Sequence, residues 1–140
     1  MIHFDKLNDL PMWLGWPAPE QWGTWSTSDT ALVLLALSSP PQNDLELLID
    51  GYAFLVAKHP SQEIDILVNE HPVATLKYDQ QSNVGVRVVK ISKALALAKN
   101  GQLLIKFNFK NPKSPAELGF STDSRRLGLC IVSLELKTAD

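Results

Sequence analysis

Four tryptophans stand within thirteen positions, Trp13, Trp16, Trp22 and Trp25, and the 140-residue chain has no others. The segment from Gly15 to Ser26 reads Gly-Trp-Pro-Ala-Pro-Glu-Gln-Trp-Gly-Thr-Trp-Ser. Proline fixes φ and glycine permits tight turns, so this is a loop or a sheet edge rather than a helix. Indoles on a stiff loop can stack against flat, partly apolar ligands such as sugar rings. Glu20 beside them can accept hydroxyl hydrogen bonds. The same rings could instead plug one end of a β-sandwich. Trp16, Glu20, Trp22 and Trp25 are therefore candidate ligand contacts, and exposure of the indoles separates the two readings.

A second stretch with chemical potential is Lys110 to Leu129, Lys-Asn-Pro-Lys-Ser-Pro-Ala-Glu-Leu-Gly-Phe-Ser-Thr-Asp-Ser-Arg-Arg-Leu-Gly-Leu. Two prolines stiffen its start, and Asp123, Arg125 and Arg126 come just before an apolar run. An arginine fork holds a carboxylate, a phosphate or vicinal hydroxyls in fixed geometry. Neighbours on a strand face opposite ways, so at most one of the two arginines serves a given site. The other reading is an ion pair that pins the loop, with Glu117 or Glu20 as partner. Glu117, Asp123 and Arg125 join the candidates.

Signatures of catalysis are mostly absent. No glycine-rich phosphate loop follows a strand, and no Gly-x-Ser-x-Gly elbow occurs. His3, His59 and His71 are scattered without partners at metal-ligand spacing, and the last two precede prolines, which suits turns. Glu20, Glu117 and Asp123 could supply a glycosidase-type carboxylate pair, but no pattern marks one. No catalytic residue, metal ligand or cofactor is assigned. The single cysteine, Cys130, excludes an internal disulfide.

The net charge of −2 conceals an asymmetry: residues 1–76 carry −8 and residues 77–140 carry +6. In a fold whose halves interleave, such charges pair internally. A basic groove for an anionic glycan is the alternative. The bases are dispersed and no nucleic-acid motif accompanies them, so nucleic acid is not an expected partner. The longest apolar run, Ala31–Leu37, is too short to cross a bilayer. Residues 1–14 form a lead-in without an apolar signal core, so a cytoplasmic location without membrane insertion is expected.

The elements that must position these residues read as short strands between turn signals. Candidates are Ala31–Leu37, Leu45–Ile49, Ala53–Lys58, Glu63–Asn69, Val73–Tyr78, Val84–Ile91, Leu103–Phe109 and Leu127–Leu136. Ile64, Ile66 and Val68 alternate with Glu63, Asp65 and Asn69, while Leu103, Ile105, Phe107 and Phe109 oppose Lys106, Asn108 and Lys110. That period places one face in a core and one in water. The last run is apolar on both faces and suggests a central strand. Asn69-Glu70 reads as a hairpin turn, 38–44 and 79–83 as loops. Ser92 can cap a short helix over 93–99, stopped at Asn100-Gly101. The expectation is a single all-β domain over 1–140, an antiparallel, jelly-roll-like β-sandwich with one short helix.

The motif Gly15-Trp16-x-x-Pro19-Glu20-x-Trp22-Gly23-x-Trp25-Ser26, ending in Ser121-x-Asp123-x-Arg125-x-Leu127-Gly128-Leu129, resembles an uncharacterised β-sandwich domain. That domain is appended to bacterial surface-polysaccharide glycosyltransferases and to phosphoglycerol-transferase-like membrane proteins. Ala53-Phe54-Leu55, His59-Pro60, Val68-Asn69, Asn83-x-Gly85-Val86-Arg87 and Asn111-Pro112-x-Ser114-Pro115-x-Glu117-Leu118-Gly119 also look like parts of its pattern. Thr27-Ser28-Asp29 replaces the usual glycine turn after the third aromatic, Glu70 replaces a turn glycine, and the transferase portion is missing. The resemblance implies a non-catalytic accessory module that contacts carbohydrate or a glycosyltransferase-type partner, and it adds Asn83 and Arg87 to the polar candidates. The competing expectations are a protein-interaction domain with structural tryptophans and a small glycan-processing enzyme.

Overall fold

The computed structural model describes residues 2–3, 13–14, 24–26, 30–37, 41–99, 102–119, 121–122 and 126–138. Its strands are β1 (Ile2–His3), β2 (Trp13–Leu14), β3 (Thr24–Trp25), β4 (Thr30–Ala36), β5 (Leu45–Ala53), β6 (Ser61–Val68), β7 (His71–Asp79), β8 (Val86–Ile91), β9 (Gln102–Lys110) and β10 (Leu129–Thr138). One short helix, α1 (Lys93–Leu97), lies between β8 and β9. The first sheet runs β1-β10-β5-β8, with β3 also paired to β10, and the second runs β2-β4-β9-β6-β7. Every pairing is antiparallel. Successive strands mostly change sheet, and the resulting order is that of a jelly roll.

Period-two alternation builds the core. Leu45, Leu47 and Ile49 of β5 face Ile64, Ile66, Leu103, Ile105 and Phe107 of the second sheet in one apolar cluster, all nearly inaccessible. Phe107 and Phe109 stack with centroids 6.4 Å apart. In β10 the buried positions shift phase, from Leu129 and Ile131 to Leu134, and the register against β5 slips between Ile131 and Ser133. A bulge absorbs the extra residue and keeps the apolar side chains on the core face. β10 lies between β5 and the β1/β3 edge, as its two-sided apolarity predicts.

Two expected strands merge. Leu45–Ile49 and the start of Ala53–Lys58 form the single strand β5, and the chain beyond Ala53 crosses between sheets through a tight turn closed by Val56 and His59. Gly51 is what lets β5 run on: a Cβ there would lie 2.5 Å from the Cys130 carbonyl oxygen. The Asn69-Glu70 hairpin forms as expected, with both residues at positive φ, 50° and 72°. Asn69 anchors it, accepting from Leu104 N–H at 2.9 Å and donating to Gln102 O at 3.1 Å. Ser92 caps α1 by accepting from Leu95 N–H at 3.2 Å, and Asp44 accepts from Lys93 N–H at 2.7 Å.

The charge halves interleave as expected. Lys77–Glu63, Lys110–Glu63, Lys110–Asp65, Lys106–Glu70 and Lys137–Glu46 each join an acid from the first half to a base from the second.

Candidate functional site at the loop-bearing end

Strand directions bring the ends of several described strands to one end of the sandwich. There β2 leaves for β3, β3 for β4, β5 for β6, β7 for β8 and β9 for β10. The connections are residues 15–23, 26–29, 54–60, 80–85 and 111–128. Trp16, Glu20, Trp22, Asn83, Glu117, Asp123 and Arg125 belong to them by chain position, while Trp25 ends β3 and Arg87 is the second residue of β8. The opposite end carries the Asn69-Glu70 turn and α1.

The tryptophan segment is anchored in both sheets. β2 pairs with β4, Trp13 opposite Val33, while β3 pairs with β10, Trp25 opposite Cys130. Trp16, Glu20, Trp22, Asp123 and Arg125 lie outside the described residues. Of Trp25 the structure describes the backbone.

Ser26, directly after Trp25, is fully buried and fastens this segment to the second informative stretch. Its N–H donates to Leu129 O at 2.9 Å, its Oγ accepts from Leu129 N–H at 2.9 Å, and its carbonyl accepts from Gly128 N–H at 3.4 Å. Gly128 makes room for the hydroxyl: a Cβ there would come within 2.7 Å of Ser26 Oγ and 2.6 Å of Phe109 Cδ1. Trp-Ser and Leu-Gly-Leu are therefore two halves of one clasp, joining residues 103 positions apart. Sequence reasoning assigned no role to Ser26 or Gly128. The available signal was a small polar residue and a glycine set among large apolar ones.

The described polar candidates are engaged within the fold. Asn83 Oδ1 accepts from Ala53 N–H at 2.7 Å and its Nδ2 donates to Ala53 O at 3.0 Å. The side-chain amide thus supplies a strand-like neighbour to β5 beyond Asp50, the last residue of β5 paired with β8. Arg87 sits opposite Ile49, donates to Lys77 O at 2.9 Å and to Ser82 O at 2.7 Å, and lies 4.2 Å from the Tyr78 ring centroid. It closes the sandwich edge between β7 and β8 by hydrogen bonds and a cation–π contact.

Glu117 completes a capping box, Ser114-Pro115-Ala116-Glu117. Ser114 N–H donates to Glu117 Oε1 at 2.7 Å, and Glu117 N–H donates to Ser114 Oγ at 3.1 Å. Gly119 ends the turn at φ 83°, its N–H donating to Ala116 O at 3.1 Å. The Ser114 bond holds the Glu117 carboxyl below the usual carboxylate range, helped by Lys113 and Arg126. Arg126 is exposed and precedes β10, so strand alternation does not govern its direction.

Beneath these loops lies a polar group of buried atoms. His59 and Gln62 are almost inaccessible, and Gln62 Nε2 donates to the carbonyls of Glu63 and Lys110. Burial pushes the His59 imidazole pKa below its ordinary value, against an opposing hydrogen bond with Gln62. Among the described residues no group of His, Cys, Asp or Glu is placed to hold a metal ion, and no helix is long and apolar enough to cross a membrane.

No family model matches the sequence, and no curated protein matches it. Among solved structures the chain is similar to a family 35 carbohydrate-binding module from an environmental isolate, at 14% identity and a TM-score of 0.48. The match covers 93% of this chain and 82% of that one.

Proposed function

We propose that this β-sandwich is a non-catalytic module that contacts carbohydrate at its loop-bearing end and serves a glycosyltransferase-type partner in bacterial polysaccharide synthesis. The observation that carries the reading is the Ser26–Leu129 clasp. It ties the tryptophan segment to the arginine-bearing stretch that precedes β10. Indoles in combination with arginine and carboxylate groups suit a sugar ring, whose C–H face stacks while its hydroxyls hydrogen-bond. Since Asn83, Arg87 and Glu117 hold the loops in shape, stacking falls to Trp16, Trp22 and Trp25, and hydroxyl recognition to Glu20, Asp123 and Arg125.

A glycan array that includes neutral and phosphorylated bacterial surface sugars is the test, followed by titration of alanine variants at the three tryptophans. At least one variant should lose binding while its melting temperature is unchanged. Blue-shifted, quencher-resistant fluorescence from every indole, with no sugar retained, would reject the proposal.

One observation favours a second reading, a protein-interaction domain. Val84, Val86 and Val88 are 82%, 52% and 51% exposed along the edge strand β8 and the residues before it. Concentration-dependent sedimentation that Val86→Lys or Val88→Lys abolishes would support it.

A further inference from the structure

The outward face of the second sheet offers a separate site. Across β4, β9, β6 and β7 its side chains form rows. Thr30, Asn108, Asp65 and Thr75 stand opposite one another in one row, and Leu32, Lys106, Leu67 and Pro72 in the next. Between the rows lies an open depression of about 400 Å³, lined by Asp65, Leu67, Pro72, Val73, Thr75 and Asn108. Small-molecule sites have volumes of roughly 300–1,000 Å³.

The backbone explains the hollow. The β6–β7 register slips so that Ile66 faces Ala74 and Leu67 faces Pro72, which leaves Val73 unopposed. Proline has no N–H to give to the ladder, and an edge strand tolerates it. The slip places Leu67, Pro72 and part of Val73, which otherwise packs against the core, beside a polar row.

The polar row is partly committed and partly free. Thr75 Oγ1 donates to Asp65 Oδ1 at 2.8 Å, and Thr30 Oγ1 donates to Asn108 Oδ1 at 3.1 Å. Asp65 Oδ2 is then an acceptor, with Lys110 Nζ 3.8 Å away, and Asn108 Nδ2 is a donor without an acceptor among the described residues. An acceptor and a donor opposite each other suit vicinal hydroxyls, one giving its proton to the carboxylate and its neighbour accepting from the amide. Glu63, Asp65, Glu70 and Asp79 slightly outnumber Lys77, Lys106 and Lys110 on this face, so no excess of positive charge is offered to a ligand. A neutral ligand is complementary to such a surface, and an anionic one gains nothing from it.

We infer that the β9–β6–β7 face is a second saccharide site, for a neutral glycan chain. Vicinal hydroxyls bind Asp65 and Asn108, and the C–H face of a ring lies on Leu67, Pro72 and Val73. The site shares its ligand class with the loop-end reading but uses none of its residues.

The test is amide chemical-shift mapping with neutral β-1,4- and α-1,4-linked hexose oligosaccharides of four to six units, with an oligogalacturonate as the acidic control. A neutral probe should shift amides at residues 65–67, 73–75 and 108, and its affinity should be nearly independent of salt. Asp65→Ala and Asn108→Ala should each weaken binding about ten-fold, with an unchanged amide spectrum in the free variants reporting an intact fold. Shifts confined to residues 13–30 and 111–128 would overturn this inference and leave the loop-end proposal standing. Shifts confined to the sheet face would do the reverse. Silence with every neutral probe, or tighter binding of the acidic control at this face, also overturns it.

Discussion

Tyr78 shows how one side chain couples packing to pH. Its ring is fully buried under the Arg87 guanidinium, and its hydroxyl has no hydrogen-bond partner among the described residues. Burial pushes the phenol pKa up to about 12, against an opposing pull from Arg87. The unfolded chain would ionise this group near pH 10. Its contribution to stability is therefore complete below pH 10 and is lost as pH rises toward 12, by about 2–3 kcal/mol for a shift of that size. Tyr78→Phe keeps the ring under Arg87 and removes the orphaned hydroxyl. At pH 8 the variant should match or exceed the wild type by up to about 1 kcal/mol. Between pH 10 and 12 the wild type should fall relative to the variant in chemical denaturation, and parallel curves would show the assignment to be mistaken. The sequence marked Tyr78 as a strand residue, but the Arg87 guanidinium that covers its ring comes from another strand, a contact that spacing along the chain does not encode.

At the scale of elements, the β6–β7 hairpin turns on two left-handed residues. Asn69 tolerates that conformation and uses its amide to bind β9, but Glu70 at φ 72° is a poor occupant. Its ion pair with Lys106 at 3.0 Å leaves the Glu70 carboxylate mostly in water, and such pairs contribute little. Glu70→Gly should therefore stabilise the protein by about 1 kcal/mol, read as a rise in melting temperature. A fall of similar size would show that the Lys106 pair outweighs backbone strain. The hairpin was legible because Asn69-Glu70 separates two alternating runs. The capping box was legible in principle as Ser-x-x-Glu, yet it lay within a proline-marked loop and its glutamate was read as an arginine partner.

For the molecule as a whole, the clasp between Ser26 and Leu129 closes the fold across most of the chain's length. Ser26→Ala leaves the Leu129 N–H buried without its side-chain acceptor and should cost about 1–3 kcal/mol. Gly128→Ala drives a methyl into Phe109 and Ser26 and should cost at least as much. Thermal melts of both decide it, and two variants as stable as wild type would show that the clasp is dispensable. The sequence by itself determined the alternation that makes strands, the turn at Asn69-Glu70, the cap at Ser92, the central place of the last strand and the pairing of an acidic half with a basic one. These follow from neighbours a few residues apart, or from charge summed over long stretches. Only the tertiary structure decided that Asn83, Arg87 and Glu117 brace loops, that Ser26 needs Gly128, and that Asp65 faces Asn108 beside a hollow opened by an unopposed Val73. Apart from the local Ser114–Glu117 box, each of these depends on how strands far apart in the chain are brought together, and where no short hairpin joins two strands their register follows from the packing of the two sheets rather than from a pattern of near neighbours.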